Sequence, residues 1–381
     1  MLILTFNPKC ICTSLLLLML LLPGIAFSQP SVIVEADVLN VRSKPWGERI
    51  GRVYDGQQFL VEERQGEWGR IIYKTGEKGW ISLDYTRQYV APVPTVSEDK
   101  YCTELNAEFD LLGWKDIRCR PEEWKSGGTS VQGRPLLYNE IKGAGPSLTL
   151  MICSVHSDEN TCYQCFRLND MLRKNPHLLI NRLIIVPLLN PDGFLRKKKT
   201  RTNAHGVDLN RNLPSSDWQK LAINAWIHHY SRDPRRNPGP NANSEPENHF
   251  LLDLIEHMQP DKIISIHSPL NFLDLDFLEQ PSDDQNLRQV SEKATALAAD
   301  ISKNSNFRFR SYNTFPGSLG RYGSEWRIPI FTLELPDVNP SLSASFFTRV
   351  RDSLVHSFNV ILDDRKRSMA NSNGPDMSQT K

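Results

Sequence analysis

Two histidines and two glutamates stand at or just beyond the ends of apolar runs in this sequence. His156 and Glu159 come soon after one run, and His267 and Glu334 each end another. Two histidines with one glutamate are a known donor set for catalytic zinc, which leaves a fourth position for water. A further carboxylate, here Glu334, could take the proton of that water and pass it to a leaving amine. The four residues therefore predict metal-assisted hydrolysis, provided that the fold brings them together.

The apolar runs have the composition of buried strands. They are the segments 147–155, 181–189, 261–266 and 328–333. Continuous apolar runs are typical of parallel strands that are covered on both faces. Helical stretches alternate with them, at 159–175, 246–258 and 284–304. This alternation predicts an α/β domain, in which ligands bind in the crevice at the carboxyl ends of the strands.

A polar segment between the second and third of these strands offers further groups for a substrate. Arg211 has a planar guanidinium that suits bidentate binding of a carboxylate. Arg201 could stabilise the oxyanion that forms when a carbonyl is attacked. Asn203, Asp208 and Asn210 are typical of loops that are held through backbone hydrogen bonds.

The N-terminus predicts export. Residues 1–28 combine an apolar block at 15–22, a helix-breaking Pro23-Gly24 and a small-x-small sequence at Ala26–Ser28. The block is short for a membrane span, so we expect a cleaved signal and a periplasmic or secreted protein, with a retained membrane anchor as the alternative. The net charge of +1 gives no electrostatic reason to expect a nucleic-acid partner.

Residues 31–90 predict a small β-barrel, because short β-rich runs alternate with Gly, Pro and Asp turns. Three motifs resemble the bacterial SH3 domain: LNVRSKP at 39–45, GEWGRI at 66–71 and GWI at 79–81. The resemblance implies a module that binds the cell wall. The alternative is a spacer whose tryptophans, Trp46, Trp68 and Trp80, serve only as core.

The remaining domain boundaries follow from composition. A Pro-rich stretch opens a linker at 91–126, the catalytic domain is expected at 127–364, and the polar tail 365–381 is expected to be disordered. With 381 residues the chain has room for two domains.

Five cysteines would remain after cleavage of the signal, an odd number that leaves at least one thiol unpaired or intermolecular. We expect a Cys102–Cys119 disulfide. Cys162 and Cys165 are interpreted as structural, either as buried thiols or as a local bridge.

Taken in chain order, these motifs resemble the zinc metallocarboxypeptidase family, and most of all its murein peptide amidase branch. They are GTSVQGRPL at 128–136, His156-x-x-Glu159, NPDG at 190–193, Arg201-x-Asn203, GVDLNRN at 206–212, His267 and Glu334. The resemblance implies a mixed, mainly parallel sheet with helices on both faces. It implies one zinc ion on His156, Glu159 and His267, with Glu334 as general acid and base.

The same resemblance implies substrate-binding residues. Arg201 would stabilise the oxyanion, while Asn210 and Arg211 would clamp a terminal carboxylate. Tyr312 lies at about the right distance before Glu334 to be the family's substrate-capping tyrosine, although Tyr322 competes for that role. Ser318 is a candidate for lining the pocket.

The combined features predict an enzyme that hydrolyses peptidoglycan stem peptides near diaminopimelate, whose free carboxylate suits Arg211. Export and a wall-binding module would place such an enzyme beside its polymer. Three alternatives are a carboxypeptidase of protein C-termini, a zinc deacylase of N-acyl amino acids and an inactive wall-binding protein. The complete set of ligands with Glu334 argues against the inactive form.

Overall fold

The computed structural model describes residues 30–74, 77–277, 285–310 and 314–363. The predicted signal at 1–28, the tail at 365–381 and Tyr312 lie outside the described residues. Within the described ranges, each helix is too short or too polar to cross a membrane.

The N-terminal described residues form two small antiparallel sheets. Their strands are β1 (Ser31–Val34), β2 (Val38–Arg42), β3 (Arg49–Tyr54), β4 (Gln58–Leu60), β5 (Glu63–Gln65), β6 (Trp68–Lys74), β7 (Glu77–Ser82) and β8 (Thr86–Tyr89). One sheet has the order β4-β1-β8 and the other β3-β2-β7-β6-β5. Trp68 and Trp80 are buried in this unit, as the core interpretation required, but Trp46 is 84% exposed. That interpretation is therefore wrong for Trp46.

The larger part of the chain is built on one mixed sheet. Its strands are β9 (Lys125–Thr129), β10 (Pro135–Ile141), β11 (Leu148–Cys153), β12 (Arg182–Val186), β13 (Lys262–His267), β14 (Phe272–Asp276), β15 (Arg308–Arg310) and β16 (Ile330–Glu334). The order is β15-β14-β16-β13-β11-β12-β10-β9. The four strands predicted from apolar runs are the adjacent central ones, and β16, β13, β11 and β12 run parallel to one another.

Helices cover both faces of this sheet, as predicted. They are α1 (Glu98–Leu111), α2 (Cys162–Lys174), α3 (Pro191–Phe194), α4 (Trp218–His228), α5 (Pro246–Met258), α6 (Gln285–Ser305), α7 (Leu319–Trp326) and α8 (Ser343–Asn359). Adjacent residues of β11 enter opposite cores: Met151 belongs to the core that includes residues of α1, α2, α6 and α8, while Leu150 belongs to the core that includes residues of α5 and α7. Burial on both faces explains why the central strands are apolar throughout.

The N-terminal unit is docked against the larger one. Phe59 of β4 packs on Trp326 of α7, with ring centroids 5.5 Å apart. Asp253 of α5 accepts hydrogen bonds from Ser31 Oγ at 2.7 Å and from Gln58 Nε2 at 3.2 Å. At Gly56 a Cβ atom would lie only 2.6 Å from the carbonyl oxygen of Ala242, so this close approach requires glycine. The two units share one hydrophobic core.

The segment predicted as a linker, 91–126, contains helix α1, which packs into the core of the larger unit through Tyr101, Leu105 and Phe109. The predicted Cys102–Cys119 disulfide is present. Cys165 is bonded to Cys153 of β11, and Cys162 is a buried free thiol. The local bridge considered between Cys162 and Cys165 is therefore wrong, because Cys165 faces the neighbouring strand.

Candidate active site

The three predicted metal ligands converge at the carboxyl ends of β11 and β13. His156 Nδ1 lies 2.8 Å from Glu159 Oε1, and His267 Nδ1 lies 2.9 Å from Glu159 Oε2. The two Nδ1 atoms are 3.1 Å apart. All three residues are buried, and a set of donor atoms, one from each residue, lies within 4.8 Å. This is a compact cluster of two imidazoles and one carboxylate that could hold a metal ion.

The chain around β11 fixes this cluster by hydrogen bonds. Thr161 Oγ1 accepts a bond from the Ser154 amide at 2.8 Å and donates to the carbonyl of Ile266 at 3.0 Å. Ser268 Oγ donates to the carbonyl of Glu159 at 2.9 Å. The loop after β11 is thus tied directly to the end of β13, which sets the separation of the two histidines.

Asp208 is a candidate functional residue for which the sequence predicted only a role in loop structure. Its Oδ1 lies 3.0 Å from His156 Nε2, and its Oδ2 accepts a bond from Arg201 Nε at 2.8 Å. A carboxylate on the second nitrogen of a metal-binding histidine fixes the orientation and tautomer of the ring. Burial raises the pKa of Asp208, but the charges of Arg201 and His156 outweigh it and hold this pKa well below its usual range.

The charges inside the ligand cluster are strongly linked. Burial raises the pKa of Glu159, but the charges of His156 and His267 outweigh burial and lower this pKa below its ordinary value. The carboxylate therefore stays ionised. Burial lowers the pKa of His267, but the charge of Glu159 raises it above its ordinary value. The carboxylate therefore attracts positive charge into a buried site, and a divalent cation would compete there with protons.

Glu334 lies where the sequence predicted, at the end of β16 and in register with His267 on β13. Its Oε2 atom is buried and forms no hydrogen bond with the described residues. Burial is the main cause that raises the pKa of Glu334. A buried carboxylate oxygen without a partner is costly in a folded protein unless a ligand or water completes it.

Arg201 lies beside the ligand cluster. Its Nη1 donates to Glu159 Oε1 at 3.3 Å, in addition to the bond from Nε to Asp208. The NPDG motif holds this position, because Asn190 Nδ2 donates to the carbonyl of Arg201 at 3.2 Å. The guanidinium is therefore fixed beside the ligand cluster by two carboxylates, while Asn190 holds the backbone of Arg201.

Asn210 and Arg211 enter the same cavity from the next turn of the chain. Asn210 Oδ1 accepts a bond from the Leu319 amide at 2.8 Å, which joins this turn to α7. The guanidinium carbon of Arg211 lies 4.6 Å from the ring centroid of Phe315, and its Nε atom is buried without a partner among the described residues. Ser318 also lines the cavity, and its Oγ caps α7 by accepting from the Arg321 amide at 3.1 Å.

Of the two tyrosines considered as the substrate-capping residue, Tyr322 lies within the described residues and Tyr312 does not. Tyr322, the competitor of Tyr312, is 1% exposed and stacks on Trp326 in the hydrophobic core, so it cannot meet a substrate. Tyr230 lines the cavity, and its hydroxyl is buried without a hydrogen-bond partner among the described residues. The sequence gives no signal for Tyr230, because it lies in an irregular segment after α4 and reaches the site only through the tertiary fold.

The candidate site contains one cavity of about 990 Å³. The predicted residues that line it are His156, Glu159, Arg201, Asn210, Arg211, His267, Ser318 and Glu334. Its volume is at the upper end for small-molecule sites and can accept a short peptide. The arrangement combines a cluster that could hold a metal ion, a carboxylate with one free oxygen among the described residues, and cationic groups. This combination suits hydrolysis of an amide next to a carboxylate.

Two buried acids, Glu245 and Glu247, support the loop that carries Arg201 and Asp208. Asn203 Nδ2 donates to Glu245 Oε2 at 2.6 Å and to Glu247 Oε2 at 3.0 Å. The Val131 amide donates to the other oxygen of Glu247 at 3.2 Å. Burial raises the pKa of Glu247 to about 8, from an ordinary value of 4.5.

Glu247 should make the protein less stable as the pH rises from 4.5 to 8. In that range the folded state keeps the proton and the unfolded state releases it, so each pH unit lowers the free energy of unfolding by about 1.4 kcal/mol. The unmodified protein should lose free energy of unfolding between pH 5 and pH 8. We expect Glu247→Gln to make this loss smaller by about 3 kcal/mol, measured by urea unfolding. The exposed Glu122→Gln is the control, and equal pH dependence of Glu247→Gln and the unmodified protein would contradict the prediction.

Comparisons with known proteins agree with this geometry. The zinc carboxypeptidase family model matches residues 122–347, and the bacterial SH3 domain model matches residues 37–87. The chain is 30% identical over 220 residues to murein peptide amidase A of Vibrio campbellii, covering 57% of this chain and 81% of that protein. It is 31% identical over 215 residues to murein peptide amidase A of Escherichia coli K12, covering 56% and 81% respectively.

Among solved structures, bovine thrombin-activatable fibrinolysis inhibitor in complex with tick carboxypeptidase inhibitor aligns with a TM-score of 0.51 at 18% identity. The alignment covers 71% of this chain and 97% of that one. At this identity the likeness concerns the fold alone, and it confirms the carboxypeptidase-like architecture that the motifs predicted.

Proposed function

The chain belongs to the zinc carboxypeptidase family, and we propose that it hydrolyses peptidoglycan stem peptides next to diaminopimelate. The observation that carries the proposal is the convergence of His156, Glu159 and His267 on one point, beside Glu334, whose Oε2 atom has no hydrogen-bond partner among the described residues. The two relatives described above are named murein peptide amidases, which supports this class of substrate.

The residues of the cluster fit zinc. Two imidazole nitrogens and one carboxylate form an established catalytic set, and Asp208 orients His156 from behind. We therefore assign His156, Glu159 and His267 as the ligands of one zinc ion. Zinc bound there supplies a Lewis acid that polarises a carbonyl and lowers the pKa of water toward 7.

Side chains of the protein take the other roles in the proposed reaction. Glu334 accepts a proton from the attacking water at its unpartnered Oε2 atom and then delivers it to the leaving amine. Arg201 donates hydrogen bonds to the scissile carbonyl oxygen as it becomes negative. Arg211 and the amide group of Asn210 hold the carboxylate of the departing residue, and Ser318 lies on the wall of the same cavity.

Stem peptides suit this cavity in charge and in location. Diaminopimelate offers the free carboxylate that Arg211 requires. The bacterial SH3 domain is proposed to bind the cell wall, and residues 1–28 are proposed to export the chain to the periplasm or beyond. The exposed Trp46, which packs its ring against Trp68 at 5.2 Å, is available on this domain for recognition.

Hydrolysis of defined muropeptides tests the proposal. Zinc-loaded protein from Gln29 onward is incubated with tripeptide and tetrapeptide muropeptides, and the products are identified by mass spectrometry. Release of diaminopimelate or of a peptide that begins with it supports the proposal and locates the bond. No product from either muropeptide, with turnover of a protein C-terminus or an N-acyl amino acid instead, would replace it with a carboxypeptidase or a deacylase. Wall binding without any turnover would indicate an inactive protein.

A further inference from the structure

The turn 55–57, which joins β3 to β4 of the N-terminal unit, lies against the larger unit. Gln57 Nε2 donates a hydrogen bond to the carbonyl of Pro214 at 3.3 Å. The carbonyl of Gly56 accepts a bond from Asn243 Nδ2 at 2.9 Å. Both bonds are buried, so loss of either donor would leave a carbonyl oxygen that water does not readily satisfy.

The turn is held in place by bonds within its own unit. Gln57 Oε1 accepts from the amide of Tyr54 at 2.9 Å, so one side chain bonds both to its own turn and to Pro214. The Gly56 amide donates to the carbonyl of Val34 at 3.0 Å, and the Val34 amide donates to the carbonyl of Gln57 at 2.9 Å. The N-terminal unit therefore presents a preformed donor to the Pro214 carbonyl.

The segments that the turn contacts adjoin the proposed carboxylate-binding residues. Pro214 lies three residues after Arg211. The carbonyl of Asn212 accepts from the amide of Asn243 at 2.6 Å. Asn243 thus connects the turn 55–57 with the residue next to Arg211. The chain that follows Arg211 is supported from the N-terminal unit at two points.

Arg211 depends on this support more than Arg201 does. Arg201 is held by two carboxylates, whereas Arg211 forms no ion pair among the described residues. The Nη1 atom of Arg211 donates to the carbonyl of Asn210 at 2.7 Å, and the carbonyl of Arg211 accepts from Trp218 Nε1 at 2.9 Å. A guanidinium that no carboxylate holds takes its position from its backbone, so the support after Arg211 helps to set where the guanidinium lies.

We propose that the turn 55–57 is part of the substrate-binding apparatus, with Gln57 as a positioning residue for Arg211. The inference rests on the proposed function, in which Arg211 binds the carboxylate of the departing residue, and it adds the N-terminal unit to that site. Without the bond from Gln57 the chain after Arg211 can shift, and the guanidinium meets the carboxylate less well. This carboxylate takes no part in the bond changes, so the loss falls on KM and not on kcat.

Two substitutions remove the two bonds across the interface one at a time. Gln57→Met keeps the length of the side chain but cannot donate to Pro214. Asn243→Gly removes the donor to Gly56 and keeps the backbone, because Asn243 has φ +53 and glycine adopts this conformation readily. We expect each variant to raise KM for a tripeptide muropeptide by about 3- to 10-fold, with kcat unchanged.

The matched control is Gln65→Met, which changes an exposed glutamine on β5 of the same unit and should keep both constants. Urea unfolding checks that each variant is folded under the assay conditions. An unchanged KM in Gln57→Met would overturn the proposal, and so would an equal rise of KM in Gln65→Met.

A double-mutant cycle with Arg211→Gln shows whether Gln57 acts through Arg211. In the Arg211→Gln background, Gln57→Met should change KM by less than about twofold, because there is no guanidinium left to misplace. The same factor in both backgrounds would overturn the positioning role, since Gln57 would then act on another group or on stability alone.

Hydrogen exchange gives a readout that does not need turnover. The Leu213 amide, which donates to the carbonyl of Gly317 at 3.0 Å, should exchange about 3- to 10-fold faster in Gln57→Met than in Gln65→Met. Equal exchange would overturn the proposal. If muropeptides are not hydrolysed, the proposed function fails. The kinetic comparison then uses a protein C-terminus or an N-acyl amino acid, each of which also has a carboxylate on the departing residue, and the exchange measurement stands without any substrate.

Discussion

Replacing Glu334 by glutamine is expected to lower kcat on muropeptides by about 100- to 10,000-fold, with zinc still bound. Glutamine keeps the size of the side chain but cannot accept the proton of the attacking water. Glu334 is not among the three assigned ligands, so the metal content should stay the same. The measurements are initial rates by product analysis and zinc content by atomic absorption.

The matched control is Glu292→Gln, which changes an exposed glutamate on α6 and should leave the rate unchanged. A Glu334→Gln protein that retains more than about a tenth of the rate, with full zinc content, would show that another group moves the proton. The lone buried Oε2 atom of Glu334 would then need a different explanation.

His267→Ala is expected to remove the zinc ion and to lower the rate by more than about 1,000-fold, since the metal contributes several kcal/mol to the transition state. The variant leaves only His156 and Glu159, which are too few ligands for a stable catalytic site. Zinc content after dialysis and the hydrolysis rate are the two measurements.

His177→Ala, at an exposed histidine in the turn after α2, is the control and should retain both metal and activity. Full zinc content in His267→Ala would contradict the assigned ligand set. Equal loss of zinc in the control would show instead that histidine substitutions act through the stability of the fold.

The convergence of the proposed metal ligands could be predicted because strand composition and chemistry coincide at them. Each central strand is apolar on both faces, and it ends where a polar side chain appears, as at His267 and Glu334. Parallel pairing then brings those ends to one edge. This part of the site depends on local sequence and on one general rule of sheet topology.

The rest of the cavity depends on how irregular segments cross the sheet edge. Asp208 contacts His156 across 52 residues of sequence, and no local pattern marks that contact. Tyr230 and Arg236 lie in a stretch without periodicity, and they reach the cavity only through the tertiary path of the chain. Helix α1 is a similar case, because it lies in the segment predicted as a linker, and its sequence does not show which core receives it.

The Cys153–Cys165 disulfide closes a ring of chain that contains both His156 and Glu159. Closing a loop of this size removes roughly 3 kcal/mol of conformational entropy from the open chain. A reduced chain has the same three proposed zinc ligands, but it must order this loop at the moment of metal binding. We expect its affinity for the proposed zinc ion to be lower by part of that free energy. The proposed metal loading would then be coupled to the redox state of the surroundings, and it would be most favourable where thiols are oxidised.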